Sequence, residues 1–479
     1  MKGLSTFAFA AALLSTQSEA INLYKRTDGP PQVVGFPVQR REVPDPLSRD
    51  RLRRRTETVQ ATLDNEQTLY FVNATLGTPA QKLRLHLDTG SSDLWVNTPS
   101  SAICRSKGNP CSLSGTYTAN SSSTYSYIAS NFNISYVDGS GASGDYVSDT
   151  FTIGSTKLSR LQFGIGYNSS SSQGILGIGY QVNEVQVGRA GGKPYNNLPA
   201  QLVANKQIRS NAYSLWLNDL DASTGRLLFG GVDTSRYHGS LETLPIQKSG
   251  NTFREFLITL TDVSLGSIDI ASDQALAVLL DSGSSLTYLP DPMTEAIYQL
   301  VQAQYDTAAG AAYVPCSLAY NSTTLDFTFS SPTISVPMNE LVIPVTSSSG
   351  RPATFADGTE ACLFGISPAG SSTSVLGDTF MRSAYLVYDL SNNEISIAQT
   401  NFNATSSHIL EIGTGTASVP DASPVPNAVS ASAGLGSAQT GAAATTTSTS
   451  TSKGGAQRTP PPMKLGAMAV GAGVLYAAM

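Results

Sequence analysis

The stretch LRLHLDTGSSDLWV, Leu83 to Val96, is nearly repeated as LAVLLDSGSSLTYLP, Leu276 to Pro290. In the first, Leu83, Leu85 and Leu87 alternate with Arg84, His86 and Asp88, a period of two that reads as a strand. Each copy runs from apolar residues straight into Asp-Thr/Ser-Gly-Ser-Ser. A second matched pair follows, GILGIG at Gly174–Gly179 and SVLGDTF at Ser374–Phe380. Internal repetition at this spacing constrains the fold more than composition does. It implies two copies of one β lobe, each presenting a carboxylate at a tight turn.

The surrounding pattern agrees. Between about Leu69 and Thr400, short apolar or alternating runs such as FNISYV, DTFTIG, RLLFGGV, FLITLTDVSLG and YLVYDLSNNEISIA are split by Gly, Ser, Asn and Asp. The clearest helical stretch is Asp291–Asp306, with Pro292 in its first turn and Ile297, Leu300 and Val301 as an apolar stripe. The fold class expected is mainly β, with two pseudo-symmetric lobes, a cleft between them and a few short helices. The 479-residue length allows two to four domains, and the absence of a basic stripe argues against a nucleic-acid partner.

The ends of the chain read as addresses. Lys2, the apolar run Phe7–Leu14 and the small residues around Ser18-Glu19-Ala20 form a secretory signal, residues 1–20. Residues 21–55 carry nine Lys or Arg against four acids and end in RLRRR, whereas the chain as a whole has a net charge of −6. A basic arm therefore precedes an acidic body. Of a nucleic-acid patch, a solvated charge run and a processing site, the last suits the secretory route best, with cleavage after Arg55. Residues 56–240 and 241–405 are the expected lobes. Residues 406–455, rich in Ser, Thr and Ala, read as a disordered stalk. Residues 456–479 read as the removed tail of a GPI signal, with attachment at Gly454; a weak transmembrane tail or a disordered end is the competing reading. The chain is then a secreted monomer, held to membrane or wall at the outer surface.

Four cysteines in an oxidising compartment suggest two disulfides. Three connectivities are open; local pairing, Cys104–Cys111 and Cys316–Cys362, is expected. His86, His238 and His408 are too scattered to complete a zinc site with them, so no metal and no cofactor is expected. Sequons stand at Asn73, Asn120, Asn133, Asn168, Asn321 and Asn403, which with the signal fits a glycoprotein.

A pseudo-two-fold would bring Asp88 and Asp281 together. Two adjacent carboxylates do not both ionise cheaply, so one keeps a proton. The ionised partner can take a proton from a water, and the protonated one can donate to a substrate carbonyl. Gly90 and Gly283 would let the backbone approach closely, Ser91 and Ser284 would hold the carboxylate oxygens, and Thr89 and Ser282 would lock the turns across the interface.

On these motifs the chain resembles the pepsin-like aspartic proteases over about Leu69–Thr400. With its basic pro-segment, Ser-rich stalk and GPI-like tail it is most similar to the yapsin group of fungal surface aspartic proteases. The resemblance makes Asp88 and Asp281 the catalytic pair and the basic segment an intramolecular inhibitor. Tyr136, in ISYVDGSGASGDY, maps to the flap tyrosine, with Asp138, Gly139 and Ser140 beside it, and Trp95 to its hydrogen-bonding support. Val137 stands where the family often has Gly, and Gln173 where Asp commonly opens the first hydrophobic-Gly motif. Asp138 suggests a preference for Lys or Arg before the cut, against the alternative of a turn-forming Asp. Glycoside hydrolases also use two carboxylates, and a binding protein could keep the fold; the twin turns and the presence of both aspartates argue against them.

Overall fold

The computed structural model describes residues 22–24, 32–41, 69–136, 140–222, 224–346 and 351–435. Residues 1–20, the run Arg49–Arg55, Val137, Asp138 and Gly139, and everything from 436 onward, including Gly454 and the apolar tail, lie outside the described residues.

The first half forms β1 (Asn22–Tyr24), β2 (Val34–Arg41), β3 (Leu69–Leu76), β4 (Gln81–Asp88), β5 (Leu94–Asn97), β6 (Ser126–Ser135), β7 (Gly141–Ile153), β8 (Thr156–Ser169) and β9 (Ile175–Gly177). Along β4 the alternation holds only at the start. Lys82 is exposed and Leu83 buried, but from Leu85 to Asp88 every residue is buried. The strand enters the interior and is covered on both faces where the aspartate sits.

The two halves repeat one arrangement. β4 runs parallel to β9, with Asp88 opposite Gly177, and β5 lies antiparallel to β9. In the second half Leu276–Leu280 runs parallel to Ser374–Leu376, and Thr287–Leu289 lies antiparallel to it. The hydrophobic-Gly motifs explain themselves here. A Cβ on Gly177 would lie 2.7 Å from the backbone nitrogens of Ser92 and Asp93, and one on Gly377 would collide with Leu286 O. Each motif glycine is where the aspartate loop of its lobe passes against a neighbouring strand.

A fourteen-stranded sheet joins the halves. It runs from Ala422–Pro424 through Tyr237–Pro245, Glu394–Thr400, Ala384–Asp389, Ala212–Trp216, Thr224–Phe229, β2, β3, β4, β9, β5, β8 and β7 to β6. The largest core cluster runs through both halves, and a smaller one gathers Trp95, Phe132, Ile134, Tyr136 and Tyr146. Cys104 bonds Cys111 and Cys316 bonds Cys362.

Four expectations change. Part of the basic segment is structural: β2 is paired on one side with Thr224–Phe229 and on the other with β3, and Val34, Phe36 and Val38 are buried. Residues 406–435 are folded rather than stalk. His408–Glu411 lies between β1 and Gly231–Asp233, and Ile409, Ile412, Val419 and Val425 are buried. The lobe boundary at 240 falls inside the strand Tyr237–Pro245. The helix stops at Val301, because Gln302 is left-handed and Gln304–Asp306 pairs with Ala311–Tyr313; its buried stripe is Met293, Thr294, Ile297 and Val301, with Leu300 exposed.

Candidate active site

Asp88 ends β4 and Asp281 follows the strand Leu276–Leu280, so both carboxylates come off buried, rigid elements. Asp88 is 1% exposed and Asp281 3%. Their surroundings match atom for atom. The Gly90 N–H donates to Asp88 Oδ1 at 2.9 Å and the Ser91 hydroxyl to Oδ2 at 2.6 Å. The Gly283 N–H donates to Asp281 Oδ1 at 2.7 Å and the Ser284 hydroxyl to Oδ2 at 2.7 Å. Each carboxylate therefore has one oxygen held by the backbone and one by a hydroxyl.

The two turns touch. A Cβ added to Gly90 would lie 2.6 Å from Asp281 Oδ1, so only glycine lets the first turn approach the second carboxylate. The contact is held by hydrogen bonds in both directions. The Thr89 N–H donates to Ser282 Oγ and the Thr89 hydroxyl to Leu280 O; the Ser282 N–H donates to Thr89 Oγ1 and the Ser282 hydroxyl to Leu87 O.

The family of eukaryotic aspartyl proteases matches residues 69–400, a span that contains both turns and both hydrophobic-Gly segments. The chain belongs to the eukaryotic aspartyl protease family. Among curated aspartyl proteases it is similar to the probable aspartic-type endopeptidase OPSB of Arthroderma benhamiae, 52% identical over 99% of this chain and 98% of that protein. The probable aspartic-type endopeptidase opsB of Aspergillus oryzae is 55% identical over 87% of this chain and 86% of that protein. Secreted aspartic protease 1 of Candida albicans is 37% identical over 73% of this chain and 86% of that protein. The crystal structure of an aspartic proteinase from Irpex lacteus, 22% identical, superposes with a TM-score of 0.59 over 78% of this chain and all of that one, which shows the same fold. This aspartyl protease is thus an aspartic-type endopeptidase.

β6 and β7 pair antiparallel beside Tyr136, the expected flap tyrosine. Tyr136 is buried and its hydroxyl accepts the Trp95 indole N–H at 2.7 Å; its own backbone N–H donates to Ser140 O. His86 is buried two residues before Asp88 and packs obliquely on Phe71, at 5.7 Å between ring centroids. That placement makes it a strand residue rather than a reacting group.

Sequence reasoning missed three acids that the fold brings near this site. Asp93 accepts the Tyr146 and Tyr195 hydroxyls at 2.8 and 2.9 Å and the Val185 N–H at 2.9 Å. Beside it, burial pushes the Glu184 carboxyl up to about 9, with Asp93 adding to the rise and the Tyr195 N–H opposing it. Glu255 is pushed up to about 8 by burial; neighbouring Arg254 opposes this and Asp281 adds to it. A charge inside the apolar run after the first motif was the only signal for Asp93; Glu184 and Glu255 had none. Among the described residues no group of three or more His, Cys, Asp or Glu is arranged to hold a metal ion.

Proposed function

We propose that Asp88 and Asp281 are the catalytic pair, sharing one proton and holding the water that cleaves a peptide bond at acidic pH. The observation that carries this reading is the contact of two identically held carboxylate turns, with Gly90 against Asp281. The ionised aspartate removes a proton from the water, which attacks the carbonyl carbon. The protonated aspartate donates to the carbonyl oxygen. Collapse of the tetrahedral intermediate breaks the C–N bond, and the departing amine takes a proton. No acyl-enzyme forms. Titration belongs to the pair rather than to either residue. Acid proteolysis of a denatured protein, run with wild type, with Asp88→Asn and with a pepstatin-type inhibitor, tests the assignment. Activity is expected only in the uninhibited wild type; equal activity in Asp88→Asn overturns it.

The finer reading is a secreted glycoprotein, anchored by a GPI lipid at Gly454, acting as a monomer and kept silent by its basic segment. Arg41 lies opposite Leu69 in β2–β3, and Phe71 lies opposite His86 in β3–β4. Arg41 and Leu69 therefore both stand at the end of the sheet where Asp88 sits, which supports inhibition of the cleft by the basic segment. Acid would protonate body carboxylates and loosen the arginines. Asp138 is proposed to favour Lys or Arg before the cut. Peptides differing only at that position, assayed with Asp138→Thr, test this: an unchanged basic-to-apolar ratio removes the proposal.

A further inference from the structure

The outer face of β6–β8 is an unusual surface. β6 is the last strand of the fourteen-stranded sheet, so among the described residues no strand pairs with its outer edge. An open edge beside exposed apolar groups is a template for pairing with another chain unless something covers it. Tyr127 is 54% exposed and Tyr167 40% exposed. The Tyr167 hydroxyl donates to Asp145 Oδ2 at 2.9 Å, and its ring crosses β7 at Gly144, where an added Cβ would lie 2.8 Å from a ring carbon. Burial first, then the bond to and charge of Asp145, then Tyr125 and Tyr127, push the Tyr167 phenol up to about 12. The three tyrosines therefore share one neighbourhood.

The register puts two sequons on the same face. In β6–β7 Asn133 is opposite Ser143, and in β7–β8 Ser143 is opposite Asn168. Directly opposed residues point to one side of a sheet, so Asn133 and Asn168 flank Ser143 in a single cross-strand row. Asp145 lies two residues from Ser143 on the same side of β7, and Tyr127, exposed at the far end of β6 beyond two register shifts, is opposite the buried Val147. Four residues of strand separate Ser143 from Val147, about 13 Å, a distance that a few sugar rings bridge. Both asparagines are exposed, as are the third residues of their sequons, Ser135 and Ser170.

We propose that N-linked oligosaccharides on Asn133 and Asn168 lie across the Tyr125, Tyr127 and Tyr167 surface and close off the β6 edge. This rests on the secretory reading above. Attachment moves the saccharide from a lipid-linked diphosphate donor to the asparagine Nδ2: the anomeric C–O bond breaks, a C–N bond forms, the amide releases one proton and the lipid diphosphate leaves. The sugar's C–H faces then stack on the phenol rings, whose apolar faces and polar tips suit such a ligand, while Asp145 and Ser143 meet sugar hydroxyls. The glycan is bulky and solubilising, and it occupies the place a foreign strand would take.

Glycopeptide mass spectrometry of the secreted protein reads occupancy at all six sequons. Sugar on Asn133 and Asn168 is expected. Sugar on Asn321 but on neither of these two overturns the inference and leaves the secretory reading standing; sugar nowhere removes both. Sedimentation then compares wild type with Asn133→Gln/Asn168→Gln and with Asn321→Gln. Only the double variant is expected to self-associate with concentration, and Tyr127→Ser/Tyr167→Ser in that background is expected to restore the monomer. Where the double variant is not secreted, trimming folded wild type with an endoglycosidase supplies the same comparison and faster amide exchange along β6. A stripped protein that stays monodisperse with unchanged exchange in β6 refutes the proposal.

Discussion

Thr89 and Ser282 exchange hydrogen bonds across the lobe interface: each donates its backbone N–H to the other's hydroxyl, at 3.2 and 2.9 Å. Each hydroxyl in turn donates to a carbonyl of the opposite lobe's strand, Leu280 or Leu87. Both residues are buried, so no water replaces a lost partner. Thr89→Val keeps the shape and strands the Ser282 N–H and Leu280 carbonyl. We expect a loss of about 1–3 kcal/mol for each stranded group, read by urea unfolding. The Thr89→Val and Ser282→Ala losses should fall short of additivity, because they break one network. Loss of kcat should exceed any change in KM, since a small misplacement of aligned groups costs rate steeply.

Tyr136→Phe removes the acceptor of the Trp95 indole N–H and leaves it buried. Stability should fall by about 1–3 kcal/mol, and kcat/KM on a peptide substrate by about tenfold, one step of roughly 1.4 kcal/mol. Trp95→Phe should reproduce the kinetic loss, since the same bond is broken from the other side. Thermal melts and steady-state kinetics of both variants check this; an unaltered kcat/KM in both separates Tyr136 from substrate handling.

Glu184 sets a pH limit on the fold. Its folded carboxyl titrates at about 9 against an ordinary 4.5. The folded chain thus keeps a proton that the unfolded chain releases above 4.5. The stability this represents is complete below pH 4.5 and is lost progressively as pH rises toward 9. The groups facing Glu184 do not reverse this, because Asp93, Tyr146 and Tyr195 bring no positive charge. Glu184→Gln should match wild type near pH 4 and exceed it near pH 8, by up to roughly 5 kcal/mol. Denaturant melts across that range decide; a constant difference would assign Glu184 a packing role alone.

The folded end at 406–435 gives a truncation test. A chain stopped after Thr405 loses the buried Ile409, Ile412, Val419 and Val425, each worth about 1.5–3 kcal/mol. That sum rivals the whole stability of an ordinary domain. It also loses the Ala433 carbonyl that accepts from Ala277, on the strand leading to Asp281. The 405 chain should fail to give soluble active enzyme, whereas one stopped after Leu435 should melt like the full chain.

What could be read from the chain was what repeats or is local. The twin turns announced themselves because an aspartate at the end of an apolar strand needs a reason, and two of them need the same reason. The Cys104–Cys111 pair is seven residues apart. What could not be read was assembled by topology. Asp93, Tyr146, Glu184 and Tyr195 meet only because β5, β7 and the loop after β9 converge. β2 is hidden by its company: Val34, Phe36 and Val38 alternate correctly, but they sit in a segment whose charge makes it read as a basic arm. Residues 406–435 hid the same way, a few buried Ile and Val diluted among Ser, Ala and Pro.

The placement of β1 and β2 has a consequence for how the protein comes off the ribosome. β2 needs Thr224–Phe229 as a neighbour, and β1 pairs with His408–Glu411. β1 must wait, partner-less, until almost the last of the folded chain has been made, and β2 has β3 alone until Thr224–Phe229 arrives. Closure of such long-range pairings is slow and exposes strand edges meanwhile. The nascent chain is therefore a client for chaperones until its tail arrives, and a premature stop shortly before residue 408 should be degraded rather than secreted.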